Sequence, residues 1–241
     1  MLVRLKCVAL RRPELAPCVN ASAAVVTPSE FSAQIWFVMP CIVAYFGRAV
    51  AWEKRAFALR RGGKANGFEN AVAIDAKSGK EIERFEGLYP GHFAMPEALS
   101  KLTYQRGGQL VLLHNHPASV SLSTRDLRIL ARPGVKKITA YGQAGAWFAA
   151  DKGVEIGRLA QALEAANEEL ATQLHLLKKR WINTDGIEAH IRNLALARAG
   201  IIHYTSRLDK NRARLYAKEV KAIEAAVEEI VLAIKRDPSW T

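Results

Sequence analysis

The sequence has few cysteines and no uninterrupted apolar run long enough to dominate its structure. Its three cysteines, Cys7, Cys18 and Cys41, all lie in the first fifth of the 241 residues and include no Cys-x-x-Cys pair. This scarcity argues against a disulfide framework and against a cysteine zinc site, and it favours a reducing, cytoplasmic compartment. Neither an internal repeat nor a low-complexity tract is visible.

An uncharged and mostly apolar segment, "FSAQIWFVMPCIVAYFG", spans residues 31–47. Its length is close to the lower limit for a membrane span, but Pro40 interrupts it and the polar Ser32 and Gln34 lie near its start. Membrane association through this segment and a secretory signal are therefore less favoured than a buried element or a poorly ordered leader. The arginine- and alanine-rich opening resembles translated upstream sequence, which would make Met39 the start of the protein.

The chain is basic, with a formal net charge of +12, and the basic excess is largest in residues 1–65. Such a charge favours acidic partners, nucleic acid or anionic membranes without specifying any of them. No nucleic-acid-binding motif accompanies it. A solvated, solubilising surface is the simpler interpretation, and nucleic acid stays a partner that no motif supports.

The pattern of the sequence predicts three regions. Residues 1–65 form a basic leader with an apolar segment, residues 66–152 a compact α/β unit, and residues 153–241 a helical extension. The predicted elements of the α/β unit are a hairpin (70–87), a helix after Pro96, a buried strand in 109–117, a helix in 123–132, and two strands in 136–151. The expected fold class is therefore α/β (α+β), with a mixed sheet and flanking helices.

Apolar residues recur at three-four spacing along residues 155–236 and predict helices throughout this region. One stripe runs from Ile156 to Leu177, a second through Ile187, Ile191 and Leu194, and a third from Tyr216 to Ile234. Packing into the core is the default expectation for these stripes, ahead of binding a partner chain.

The stretch "VLLHNHPASVSLSTRD" (111–126) is the most informative for function. His114 and His116 are two residues apart on a predicted strand, so their side chains point to the same face and can reach one metal ion. Asp126, in the first turn of the next helix, is a third potential ligand. Three protein ligands leave a zinc ion one open position, as in catalytic sites. The structural alternative is a chance His-x-His pair beside a helix-capping box from Ser123 to Asp126.

The motif "HNHP", five further residues and "STRD" resembles the signature of the JAMM (MPN+, JAB domain) zinc metalloproteases, and in particular their RadC-like bacterial branch. The resemblance covers residues 66–150 and includes the hairpin "FENAVAIDAKSGKEIERFEG". It implies a JAB/MPN-like, cytidine-deaminase-like layering and a Zn²⁺ ion held by His114, His116 and Asp126. It also implies hydrolysis of peptide or isopeptide bonds in a protein substrate, with a ubiquitin-like modifier as one possible target.

The same resemblance implies Glu69 as general acid/base and Ser123 as a hydrogen-bond donor to the zinc water or the developing oxyanion. Because the register of the hairpin is not visible in the sequence, Glu81, Glu83 and Glu86 remain alternatives to Glu69. The loop between His116 and Asp126 is one residue shorter than in the longer family pattern, and Ala118–Ser119 replaces a common Ser-Gly.

Several other functions compete with this interpretation. An HNH nuclease shares only the letters of the motif. A PHP-type phosphoesterase needs further ligands on later strands, whereas His175, His190 and His203 lie in or beside stretches predicted to be helical. A metal-free JAB-like scaffold and a RadC-like DNA-associated accessory protein also remain, the first disfavoured by the complete ligand set and the second distinguishable by the salt dependence of binding.

Overall fold

A computed structural model describes residues 54–55, 57–64, 67–87, 95–105, 109–154 and 156–236. Most of the predicted leader, including the segment 31–47 and Met39, lies outside these residues. The described residues all belong to one compact unit of the chain. No helix among them is long and apolar enough to cross a membrane.

The described residues form six strands and seven helices. The strands are β1 (Asn70–Asp75), β2 (Glu81–Glu86), β3 (Leu110–His116), β4 (Val135–Gly142), β5 (Trp147–Lys152) and β6 (Ile202–Arg207). The helices are α1 (57–64), α2 (Glu97–Tyr104), α3 (Thr124–Leu130), α4 (Ile156–Lys179), α5 (Glu188–Arg198), α6 (Lys210–Lys218) and α7 (Val220–Arg236).

The six strands make one mixed sheet in the order β2-β1-β3-β4-β5-β6. Only β3 and β4 are parallel, and the other neighbours are antiparallel. A parallel pair needs a crossover connection, and α3 supplies it between β3 and β4. All seven residues of β3 are buried, as expected for an apolar strand covered on both faces. The predicted mixed α+β class, hairpin and central strand are confirmed.

The prediction that residues 155–236 are helical throughout is wrong at one place. β6 lies between α5 and α6 and pairs with β5 at the edge of the sheet, with His203 opposite Asp151. Gly200, at a φ of +79°, ends the preceding helix and turns the chain toward the sheet. The strand was not predicted because the apolar-polar alternation of "IHYTSR" is short and lies between two segments with strong helical patterns.

One hydrophobic core contains residues from the sheet and from the long helices, so it includes both sides of the predicted boundary at residue 152. The apolar stripes predicted on α4 and α7 are buried in it: Leu159, Leu163, Ala166, Leu170, Ile223, Val227, Ile230, Ile234. Leu174 of α4 is only partly buried, and Val220 at the start of α7 is exposed. This packing matters for the site, because β3 and α3 both contribute residues to the core that the C-terminal helices share.

Candidate metal centre

The two histidines of the motif project from the same face of β3. Small residues stand beside them in the neighbouring strands: Ala71 of β1 and Ala140 of β4 oppose His114, and Gly142 opposes His116. Because paired residues of adjacent strands project to the same face and lie close together, large side chains at these positions would fill the space of the imidazoles. The local sequence therefore leaves room for two histidine rings, whose centroids are 4.6 Å apart.

Both histidines point the same nitrogen at Asp126. The Nε2 atoms of His114 and His116 are 2.8 Å apart. His114 Nε2 lies 3.3 Å from Oδ1 of Asp126, and His116 Nε2 lies 3.4 Å from Oδ2. All three residues are buried, and one ligand atom from each lies within 4.8 Å of the others. In the described part of the chain, this is the group of histidine and acidic residues that could hold a metal ion.

Hydrogen bonds around the group fix its ligands. Nδ1 of His116 lies 2.8 Å from the carbonyl oxygen of Val120. A carbonyl oxygen can only accept, so Nδ1 of this histidine carries a proton, and the ring in its neutral form has its lone pair on Nε2. Such contacts to the second nitrogen are typical of metal-ligating histidines.

Ser123 is the N-cap of α3 and forms a capping box with Asp126. Its backbone N–H and its hydroxyl both donate to Oδ2 of Asp126, at 2.7 and 2.8 Å, and its Oγ accepts from the Asp126 N–H at 3.1 Å. The capping box that the sequence offered as a structural alternative is therefore present together with the converged ligands. The observed partner of the Ser123 hydroxyl is Asp126, and its role toward an oxyanion stays a prediction.

Burial and charge act in opposite directions on the group. Burial lowers the pKa of His116, but its hydrogen bond to Asp126 and the charge of that carboxylate outweigh burial and raise the pKa to about 9. Burial favours the neutral form of Asp126, yet the two histidines overcome it and hold its pKa well below the usual range. The carboxylate is thus ionised and needs a positive partner, either a proton or a cation.

Glu69 lies just before β1, and its Oε1 is 3.9 Å from Nε2 of His116. Its side chain is 14% exposed, so it is reachable from solvent at the edge of the buried group. The alternatives Glu81, Glu83 and Glu86 all lie on β2, which β1 separates from β3. Glu81 forms ion pairs with Arg84 and Arg55 instead. Among the glutamates considered from the sequence, Glu69 is the one that the structure brings to the histidines.

Asn115, which the sequence analysis did not single out, holds the segment that carries Glu69. Its side chain is fully buried on the face of β3 opposite the two histidines. Oδ1 accepts from the N–H of Asn70 at 2.7 Å, and Nδ2 donates to the carbonyl of Phe68 at 3.0 Å. Both neighbours of Glu69 are therefore attached to the residue between the two histidines.

These features define a mixed α+β protein with a buried His-His-Asp group that could hold a metal ion. Comparisons with protein-family models, with curated proteins and with solved structures find no match to this chain. Among the described residues, the His-His-Asp group is therefore the feature that points to a function.

Proposed function

We propose that the protein is a zinc-dependent hydrolase of peptide or isopeptide bonds, with a JAMM-type site and JAB/MPN-like layering. The observation that carries the proposal is the convergence of His114, His116 and Asp126 with the carboxylate of Glu69 beside them. Two imidazoles and one carboxylate are a ligand set that suits zinc, and three protein ligands are typical of catalytic rather than structural zinc sites.

The spacing of the ligand atoms supports the fit. Zinc bonds to nitrogen and oxygen of about 2.0–2.2 Å in a tetrahedral arrangement place neighbouring ligand atoms about 3.3 Å apart. The distances from the Asp126 oxygens to Nε2 of the two histidines, 3.3 and 3.4 Å, agree with that separation. The 2.8 Å between the two Nε2 atoms is shorter and is the length of a hydrogen bond through a shared proton, so zinc would replace that proton.

Each residue has a defined task in this proposal. A bound zinc supplies a Lewis acid and an activated water at neutral pH. Glu69, next to the ligands and partly exposed, takes a proton from the nucleophile and delivers it to the leaving amine. Ser123 keeps Asp126 oriented and ionised through its two donated hydrogen bonds. A ubiquitin-like modifier belongs to the possible substrates because the motif resembles that of isopeptidases.

The first test is the metal content of the purified protein. We expect about one zinc per chain in the wild type and in His175→Ala, a control at an exposed histidine of α4, and none in His116→Ala. Iron in place of zinc would contradict the proposed hydrolase activity, because iron oxygenases also use a site of two histidines and one carboxylate. If the folded wild type contains no metal although it was never exposed to a chelator, the result would favour the alternative of a metal-free JAB-like scaffold.

The second test concerns the chemistry. Glu69→Gln keeps the ligands, so we expect unchanged zinc content and a loss of hydrolysis of roughly 10²–10⁴-fold, the usual contribution of general acid/base catalysis. The assay is a fluorogenic screen of α-linked peptides and peptides joined through a lysine side chain. Equal activity in the wild type and Glu69→Gln would remove Glu69 from the mechanism.

A further inference from the structure

A buried arginine from the C-terminal helices is bonded to the loop that carries Asp126. Arg192 of α5 is only 4% exposed. Its guanidinium donates to the carbonyl of Leu122 at 2.7 Å and to Oγ1 of Thr124 at 2.6 Å. These two residues flank Ser123, the N-cap that holds Asp126. The same guanidinium also donates to Asn167 of α4 at 3.2 Å and to its neighbour on α5, Asn193, at 3.1 Å.

A second side chain reinforces the same loop. Nδ2 of Asn193 donates to the Leu122 carbonyl at 2.9 Å and to Oγ of Ser121 at 3.0 Å. Ser121 Oγ also bonds to the hydroxyl of Tyr204 on β6, at 2.7 Å. Residues 121–124 are thus bonded to α4, α5 and β6. They lie between Val120, which anchors His116, and Asp126.

A buried arginine is costly unless its hydrogen bonds are satisfied, so its location needs a reason. Burial lowers the pKa of Arg192 to about 10, and the charge of Asp126 offsets only part of that effect. An apolar residue of similar size would pack in α5 without this cost. What an apolar residue could not supply is a planar fork of donors that fixes several backbone and side-chain oxygens at once.

We propose that Arg192 is a positioning residue of the metal centre, which sets the loop 121–124 so that Ser123 directs Asp126 at the two histidines. The inference rests on the proposed zinc site, and it makes the C-terminal helices part of that site.

The test compares Arg192→Met and Arg192→Lys with Arg198→Met, a matched control on the same helix whose ion pairs to Glu224 and Glu228 are partly exposed. The probes are zinc and cobalt(II) in competition with a chromophoric chelator. Loss of groups that orient metal ligands typically weakens binding by 10–100-fold. We expect a loss of this size in Arg192→Met, with an altered cobalt visible spectrum. Arg192→Lys should recover it only in part, because an ammonium cannot reproduce the fork.

A second readout needs no metal. The Asp126 N–H donates to Ser123 and the Leu127 N–H to the Ser123 carbonyl, so hydrogen exchange at these amides reports the order of the loop. We expect faster exchange there in Arg192→Met, with β3 unchanged. Wild-type exchange and wild-type cobalt binding in a folded Arg192→Met would overturn the proposal. Full recovery by Arg192→Lys would also overturn it, because charge alone would then suffice.

Two further results of these experiments also have a defined interpretation. If Arg192→Met does not fold, the isosteric Thr124→Val removes one acceptor of the fork, and faster exchange at the Asp126 amide supports the proposal while unchanged exchange overturns it. If the wild type binds neither metal, the zinc site fails as a proposal. The exchange experiment still decides whether Arg192 positions the loop, so the two failures are distinguishable.

Discussion

Asn115 offers the sharpest test of how β3 holds Glu69, the proposed general acid/base. Asn115→Ala removes a 2.7 Å bond to the Asn70 N–H and a 3.0 Å bond to the Phe68 carbonyl. Asn70 is buried, so its N–H loses its partner at a cost of about 1–3 kcal/mol, and the second bond adds roughly 1 kcal/mol. We expect the free energy of unfolding to fall by about 2–4 kcal/mol, measured by urea denaturation.

The controls separate polar from packing effects. Asn115→Leu fills nearly the same volume without the bonds, so we expect a loss within about 1 kcal/mol of that in Asn115→Ala. Asn211→Ala changes an exposed asparagine of α6 and should stay within about 0.5 kcal/mol of the wild type. Zinc content should persist in both Asn115 variants, because the histidines lie on the other face of β3, while hydrolysis falls. An Asn115→Ala protein as stable and as active as the wild type would refute the reasoning.

Two further predictions concern stability. A Cβ at Gly142 would lie 2.7–2.8 Å from three atoms of Ser119, so Gly142→Ala should cost about 1–3 kcal/mol in urea denaturation, whereas Gly157→Ala, with open space around it, should be neutral or stabilising. Equal stability of these two variants would contradict the close packing. Burial lowers the pKa of His190 to about 4, although Glu224 partly opposes it. The unfolded state then binds the proton first, and stability should fall by about 2 kcal/mol from pH 7 to pH 5 and level off below pH 4. His190→Gln should show a smaller fall, and an identical pH profile would exclude this histidine as the cause.

The His-His-Asp group was predictable because its geometry follows from short-range rules. Two residues on one strand share a face, so His114 and His116 were expected to converge, and the capping pattern placed Asp126 in the first turn of the next helix. The hairpin and the central strand followed from alternation and turn residues. Each of these features depends on neighbours within a few positions of the chain.

The polar residues that surround the His-His-Asp group were not predictable in this way. Arg192 and Asn193 stand in a helix whose apolar stripe gives no sign that two polar residues beside it are buried. Their partners are 68–72 positions away in the sequence, among residues 121–124. The role of Asn115 was not predicted, because the two histidines beside it give the stronger signal in the sequence. A buried polar side chain is recognised by its partners, and those depend on the tertiary fold.

The negative charge of the buried Asp126 carboxylate has to be balanced by its surroundings. Arg192, the nearby buried cation, gives its hydrogen bonds to neutral oxygens and so leaves the carboxylate for the histidines. A proton between the two Nε2 atoms can balance that charge, and so can a divalent metal, and both would use the same nitrogen lone pairs. Because the histidines can balance the charge of Asp126 with a shared proton, we expect that removing the metal abolishes the proposed hydrolysis without unfolding the protein. Such behaviour is typical of a catalytic metal site rather than a structural one.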